Sequence, residues 1–333
     1  MIRIGINGFG RIGRYVTRIV LDSDDIEIAV INDLSDIHTL AHLLKYDSIH
    51  RALKHNFTID GDRLVFENGK TIKFVSHSTP NDIPWSNTAI DFIIESTGKF
   101  VSKELASLHK ISGNQKIIIS APTTSSDIPT IVLGVNEHKL DGSERIISNA
   151  SCTTNNAAPM IKVMKELCSI EGCFISTVHS YTTDQHLHDS PHRDLRRARA
   201  AAQSIVPTST GAAKAIVHIF PELNDRLGGG SVRVPVADGS LTEITIFTED
   251  VLSIEQINNA MKKASETSLI GILAYTEDPI VSVDIIGNSH SCIFDAKLTS
   301  IVGKMIKIVG WYDNEAGYSN RLVDLAKYLH QTK

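Results

Sequence analysis

The run Ile2 to Asn7, followed at once by Gly8-Phe9-Gly10-Arg11-Ile12-Gly13, constrains this chain more tightly than any other segment. A short apolar strand leads into three glycines at G-x-G-x-x-G spacing. Arg14 to Leu21 then reads as a helix, with Tyr15, Ile19 and Val20 on its apolar face. A second strand, Ile26 to Ile31, ends in Asn32-Asp33, and Asp33 lies 20 residues beyond Gly13. At that spacing an acid meets the adenosine ribose in a dinucleotide fold. Two of the glycines permit a tight turn and close approach to a pyrophosphate, and the third allows helix to pack on strand. The helix N-terminus then faces the phosphates. Glycines alone punctuate ordinary turns; strand, helix and acid together carry the reading. A carboxylate bonded to the ribose 2′-OH repels a 2′-phosphate, which favours NAD over NADP.

Further strands at Asp91 to Glu95, Lys116 to Ser120 and Thr130 to Val135 alternate with helix-like runs, the βαβ rhythm of a parallel sheet. Near residue 150 the rhythm changes. Phe174 to Ser180, Val232 to Val236, Leu241 to Phe247, Ile280 to Ile286 and Met305 to Trp311 read as strands of an antiparallel sheet, with a helix over Ser253 to Ser265 and a terminal helix from Glu315. The fold class expected is α/β: a Rossmann dinucleotide-binding domain over residues 1–150 and an α+β catalytic domain with a mostly antiparallel sheet over residues 151–314. Residues 315–333 are expected to form a C-terminal helix returning to the first domain.

The second half carries the chemistry. Ser151-Cys152-Thr153-Thr154-Asn155 precedes a helix-like run, Asn156 to Leu167, and His179 follows Cys152 by 27 residues. A helix N-terminus favours a thiolate, and a histidine from a nearby strand supplies the base that a cysteine nucleophile needs. A cysteine is more often a small buried hydrophobe, so this pairing alone only suggests a site. Thr208-Ser209-Thr210-Gly211-Ala212-Ala213 is a hydroxyl-and-glycine loop entering a helix, suited to an anion or to simple capping. Arg233, flanked by valines, is a half-buried strand arginine that needs an anionic partner, either a structural carboxylate or a phosphate. His186-Leu187-His188 lacks a partner pair at ligand spacing, so no metal is expected.

Composition narrows the class. With 333 residues, 42% of them hydrophobic, two cores fit. A net charge of −5, and an arginine cluster (Arg193, Arg196, Arg197, Arg199) interrupted by acids and without aromatics, argue against a dedicated nucleic-acid partner. No apolar run is long enough to span a membrane, and the residues from Met1 to Asn7 lead one to expect no leader before the first strand. Four cysteines in so long a chain suit a reducing compartment, so a cytoplasmic location is expected.

Taken together, these residues resemble the phosphorylating glyceraldehyde-3-phosphate dehydrogenases along essentially the whole chain. The resemblance rests on residues 5–14, on Lys45-Tyr46-Asp47-Ser48, on residues 148–155, on Pro191 to Arg199 and on Trp311-Tyr312-Asp313-Asn314-Glu315. It implies oxidation of glyceraldehyde 3-phosphate to 1,3-bisphosphoglycerate through a thioester on Cys152, with His179 as base and NAD as cofactor. It implies further that Thr182 and Arg233 hold the substrate phosphate. Ser151, Thr153, Thr210 and Gly211 hold the attacking phosphate, with Arg197 near both. Arg11, Ile12, Asp33, Ser120 and Asn314 hold the NAD, and the segment from Tyr181 to about Ala202 packs between subunits of a homotetramer. The chain departs from its relatives at Ser78 and Ser190, both near the expected adenosine site, and at Arg51, Asn156 and Ala316. Erythrose-4-phosphate dehydrogenase is the nearest alternative, and a binding-only role is the alternative of a different class.

Overall fold

The computed structural model of the chain describes residues 1–332. These divide into two compact units. One comprises Met1–Ile131 and Glu137–Ala150 with the chain from Ser319 onward; the other comprises Val132–Asn136 and Ser151–Tyr318.

The first unit is built on an eight-stranded sheet. Its order is Ile146–Ser148, Lys116–Ile119, Phe92–Glu95, Ile2–Asn7, Ile26–Asn32, Thr71–Val75, Arg63–Phe66 and Phe57–Asp60. The first six strands are parallel; Arg63–Phe66 runs antiparallel to them, and Phe57–Asp60 is antiparallel to Arg63–Phe66. Phe92–Glu95 and Lys116–Ile119 are buried at every residue, as strands covered on both faces must be. The opening strand lies between Ile26–Asn32 and Phe92–Glu95, so strand order changes direction there. A crevice at the carboxyl ends of such strands is where doubly wound sheets bind ligands. The first helix, Arg11–Leu21, begins three residues before the expected start, with Gly10 as its N-cap, and so takes Gly13 into its first turn. Thr130 to Val135 forms no strand. Only Thr130 makes an isolated parallel bridge, to Ser148. The segment then turns, because Asn136 Oδ1 accepts the Val132 N–H at 2.8 Å and Gly134 takes φ +78°.

In the second unit the sheet order is Val206–Thr208, Leu227–Val234, Gly172–Ser180, Ser240–Phe247, Met305–Tyr312, Cys292–Asp295 and Leu273–Thr276, with Ser300–Val302 also beside Met305–Tyr312. Antiparallel pairings predominate; the two parallel ones join Gly172–Ser180 to Leu227–Val234 and Leu273–Thr276 to Cys292–Asp295. Ile280 to Ile286 is not a strand. It holds a short 3-10 turn, Ser282–Ile285, closed by Asp284 Oδ2 accepting the Val281 N–H at 2.7 Å. The helix that carries the candidate nucleophile, Cys152–Leu167, packs on the sheet where Gly310 leaves room. A Cβ at Gly310 would stand 2.6 Å from Cys292 Sγ and 2.7 Å from Met160 Cε.

Arg51 adopts φ +66°, a left-handed backbone that costs a non-glycine residue about 1–2 kcal/mol. Its carbonyl accepts Arg18 Nη2 at 2.9 Å, which holds the turn in place. Arg51→Gly keeps that backbone bond and removes the strain. Part of the gain is offset by the greater freedom of an unfolded glycine. The expected outcome is about 0.5–1 kcal/mol of added stability, read by urea denaturation; a loss of stability would show that the Arg51 side chain outweighs its backbone.

Candidate active site

Ser151 starts the site as an N-cap, its Oγ accepting the Thr154 N–H at 3.1 Å. Cys152 is thereby the first helical residue, four positions earlier than the expected helix start. Its thiol sits where the unpaired N–H groups of a helix favour negative charge. Cys152 Sγ lies 3.5 Å from His179 Nε2.

His179 comes from the strand Gly172–Ser180, and the parallel register of Leu227–Val234 sets Arg233 opposite it. His179 Nδ1 lies 2.7 Å from the Ser180 carbonyl, which also accepts Arg233 Nη1 at 3.0 Å. A carbonyl can only accept, and the two Arg233 Nη1 hydrogens go to that carbonyl and to Thr182 Oγ1, so Nδ1 carries the hydrogen and Nε2 turns its lone pair toward the sulfur. That is the orientation a base needs. Burial pushes His179 down to about 3, and Arg233, 3.0 Å from Nδ1, pushes the same way. Packing around the half-buried Cys152 pushes its thiol up, while Arg233 and the Thr153 N–H and hydroxyl oppose that push. Arg233 acts in two senses, favouring a thiolate and disfavouring an imidazolium.

The same guanidinium donates to Thr182 Oγ1 at 3.0 Å, and the Thr182 hydroxyl donates to Asp184. Asp184 also accepts Arg197 Nη1 at 2.5 Å, and Arg197 Nε donates to Thr208 Oγ1 at 2.8 Å. Burial raises the Asp184 carboxyl, but the Thr182 hydroxyl, Arg233 and Arg197 outweigh it and hold the group below the usual carboxylate range. The Thr182 hydroxyl and the Arg197 guanidinium thus bond one carboxylate, and Arg233 adds a second cation, beside the Cys152–His179 pair. Arg197 Nη2 points at the Ser209 carbonyl, 3.4 Å away, which leads into Thr210 and Gly211. Gly211 is the N-cap of Ala212–Ile219, supplies no side-chain cap, and a Cβ there would meet nothing within 4 Å. That helix start has room for an anion.

Two of the expected site residues are held by buried partners. Thr153 is buried, and its hydroxyl lies 2.9 Å from Tyr312 Oη as well as against the sulfur, so the side chain faces inward. Asn314 is anchored through Oδ1, which accepts the hydroxyls of Ser180 and Ser240, each at 2.8 Å. Its amide nitrogen is left as the outward donor. Asp184, Tyr312, Ser180 and Ser240 were not singled out from sequence, since each acts through a neighbour distant in the chain.

In the first unit the three glycines serve three purposes. Gly8 takes φ +94°, with Thr97 N only 2.8 Å from where its Cβ would be. Gly13 would bring a Cβ to 2.3 Å from Gly8 O, so only glycine lets helix meet strand there. Gly10 faces open space and leaves the helix Arg11–Leu21 without a side-chain cap. The N–H groups of a first helical turn and an open flank suit a pyrophosphate. The Asp33 carboxylate accepts the N–H of Phe9, inside the turn, at 2.8 Å and that of Ser35 at 2.9 Å. Ile12 is half-buried in the first helical turn, and Ser120 follows the end of Lys116–Ile119, its N–H bonded to Glu95 O at 2.9 Å. Arg11 forms a bidentate pair with Asp47, at 2.5 and 3.1 Å. Burial raises the Asp47 carboxyl, but Arg11 and the N–H groups of His50 and Ile49 bring it down to about 2.

If Nε2 is the base for the thiol, His179→Asn should slow alkylation of Cys152 by iodoacetamide at neutral pH on the order of tenfold. The midpoint of the alkylation pH profile should move to higher pH. An unchanged rate and midpoint would remove His179 from that role.

The family model described as the glyceraldehyde 3-phosphate dehydrogenase NAD binding domain matches residues 2–103, and that of the C-terminal domain of the same enzyme matches residues 151–314. Curated relatives align along nearly the whole chain. Glyceraldehyde-3-phosphate dehydrogenase of Priestia megaterium is 49% identical over 330 residues, covering 98% of each protein. Glyceraldehyde-3-phosphate dehydrogenase 2 of Streptomyces avermitilis is 52% identical over 331 residues, covering 98% of each, and that of Thermotoga maritima is 49% identical over 332 residues, covering 99% of each. With a two-domain match and identity near one half from end to end, the chain belongs to the glyceraldehyde-3-phosphate dehydrogenase family.

Proposed function

We propose that this protein catalyses NAD-dependent oxidative phosphorylation of glyceraldehyde 3-phosphate to 1,3-bisphosphoglycerate, in glycolysis and gluconeogenesis. The observation that carries the reading is the Cys152 Sγ to His179 Nε2 approach of 3.5 Å beside the Arg233–Thr182 anchor. Residues 1–150 serve the cofactor and residues 151–314 the chemistry.

His179 Nε2 takes the thiol proton as the Cys152 sulfur bonds to the aldehyde carbon. The carbonyl oxygen becomes an alkoxide, which accepts a hydrogen bond from the Cys152 N–H and then the proton from Nε2, giving a hemithioacetal. NAD, when bound, accepts the hydride that leaves the hemithioacetal carbon. His179 Nε2 takes the hydroxyl proton in the same step, and a thioester remains on Cys152. A phosphate oxygen then bonds to the thioester carbon, the C–S bond breaks, and the acyl phosphate leaves as product while the departing thiolate takes back the proton held on His179 Nε2. Arg233 and Thr182 hold the substrate phosphate. Ser151, Thr153, Thr210 and Gly211 hold the attacking phosphate, Thr153 through its backbone, and Arg197 serves both. Arg11, Ile12, Asp33 and Ser120 would hold the NAD, and the Asn314 amide N–H would donate to its nicotinamide carboxamide. The protein works in the cytoplasm as a homotetramer; no helix among the described residues is long and apolar enough to cross a membrane.

A spectrophotometric assay with both aldehydes, both cofactors, and phosphate present or absent decides among the readings. NADH formation should require phosphate, prefer glyceraldehyde 3-phosphate to erythrose 4-phosphate, and prefer NAD. Phosphate-independent turnover or preference for the four-carbon aldehyde would sink the proposal. Light scattering should give a mass four times that of the chain, and a monomer mass would contradict the tetramer.

A further inference from the structure

Beneath the glycine turn lies a polar assembly, buried in an otherwise apolar core. Trp85, His109, Glu95, Asn7 and Asn32 are each 0–4% exposed. The direction of every bond in it is determined. Trp85 Nε1 lies 2.9 Å from His109 Nδ1, and an indole nitrogen can only donate, so Nδ1 is bare and the hydrogen sits on Nε2. His109 Nε2 therefore donates to Glu95 Oε2 at 2.9 Å. Asn7 Nδ2 donates to the same oxygen at 2.6 Å. Glu95 Oε1 accepts the Thr97 N–H at 2.8 Å and the Thr97 hydroxyl at 2.5 Å. Four donors converge on two oxygens, an arrangement an ionised carboxylate satisfies and an amide cannot.

A buried carboxylate costs free energy that apolar packing avoids, so its retention points to a task. Two of the donor residues, Asn7 and Thr97, lead to the dinucleotide turn, and His109 ties the carboxylate to Trp85 in the core. Asn7 is the last strand residue before Gly8, and its Oδ1 accepts Asn32 Nδ2 at 2.8 Å. Asn32 precedes Asp33 and clamps the backbone of His77, accepting its N–H at 2.8 Å and donating to its carbonyl at 3.0 Å. Thr97 is held against Gly8, and Ser96 Oγ donates to Gly8 O at 2.7 Å.

We propose that Glu95 is a positioning residue for cofactor binding: one acceptor that holds the Gly8 turn, the end of the Asp33 strand and the His77 loop in register for the pyrophosphate and adenosine of a dinucleotide. The inference rests on the NAD reading above. Glu95 touches no ligand itself; it acts through Asn7, Thr97 and Asn32.

The test compares Glu95→Gln, Thr97→Val and Thr97→Ser in the full chain, by NAD titration calorimetry and steady-state kinetics. Glu95→Gln turns an N–H toward donors that need an acceptor. It should raise the Kd and KM for NAD about tenfold, leaving kcat at saturating NAD and the KM for glyceraldehyde 3-phosphate within twofold. Thr97→Val loses one donor and should raise the NAD constants about threefold, whereas Thr97→Ser keeps it and should match the unsubstituted protein. Folded variants with NAD constants within twofold of the unsubstituted protein overturn the proposal, as does a loss confined to kcat. Should Glu95→Gln fail to fold, the Thr97 pair decides by the same criterion. An unsubstituted chain that binds no NAD overturns the cofactor reading and this inference together. One that binds NAD as tightly as its variants removes only the role of Glu95.

Discussion

The chemistry of the second unit depends on one carbonyl. Ser180 O accepts His179 Nδ1 at 2.7 Å and Arg233 Nη1 at 3.0 Å, which fixes the imidazole tautomer and brings a permanent cation beside it. The parallel register of two strands puts His179 and Arg233 side by side, so the sheet itself sets the distance. From there the contacts run outward: to Thr182, to Asp184, to Arg197, and to the loop before Gly211. A base without a fixed tautomer would serve poorly, since its lone pair has to face the sulfur.

The two units share one device suited to an anion. In each, a glycine precedes a helix, offers no side-chain cap and leaves space that a Cβ would enter: Gly10 before Arg11–Leu21, and Gly211 before Ala212–Ile219. The Cys152 helix differs, because Ser151 caps it and its first residue is the thiol. Phosphate is therefore suited to the two glycine-led starts, in the second of which Thr210 Oγ1 accepts the Ala212 N–H at 3.1 Å, while the start capped by Ser151 supports a charge on sulfur.

Much of this was legible in the sequence, and the reasons differ by element. The glycine turn could be read because its backbone admits few alternatives: Gly8 at positive φ and Gly13 against Gly8 O leave no room for a side chain. The start of the Cys152 helix could not. Thr153, Thr154, Asn155 and Asn156 are weak helix formers that favour caps, and burial and the Ser151 cap override that preference. Thr130 to Val135 and Ile280 to Ile286 carry strand-forming residues, yet the side chains of Asn136 and Asp284 bond nearby backbone and turn the chain. Asp184 and Glu95 stayed hidden for another reason. Each matters only through donors that the fold brings from elsewhere, such as Arg197 to Asp184 and Asn7 to Glu95.

The central claim is that Cys152 carries the acyl group between oxidation and phosphate attack. Mass spectrometry of protein quenched in acid, after mixing with NAD and glyceraldehyde 3-phosphate in the absence of phosphate, tests it most directly. The account predicts one phosphoglyceroyl group per chain on the peptide bearing Cys152, removed when phosphate is added before the quench. Stoichiometric NADH with no adduct on Cys152, or an adduct on another residue, would contradict it.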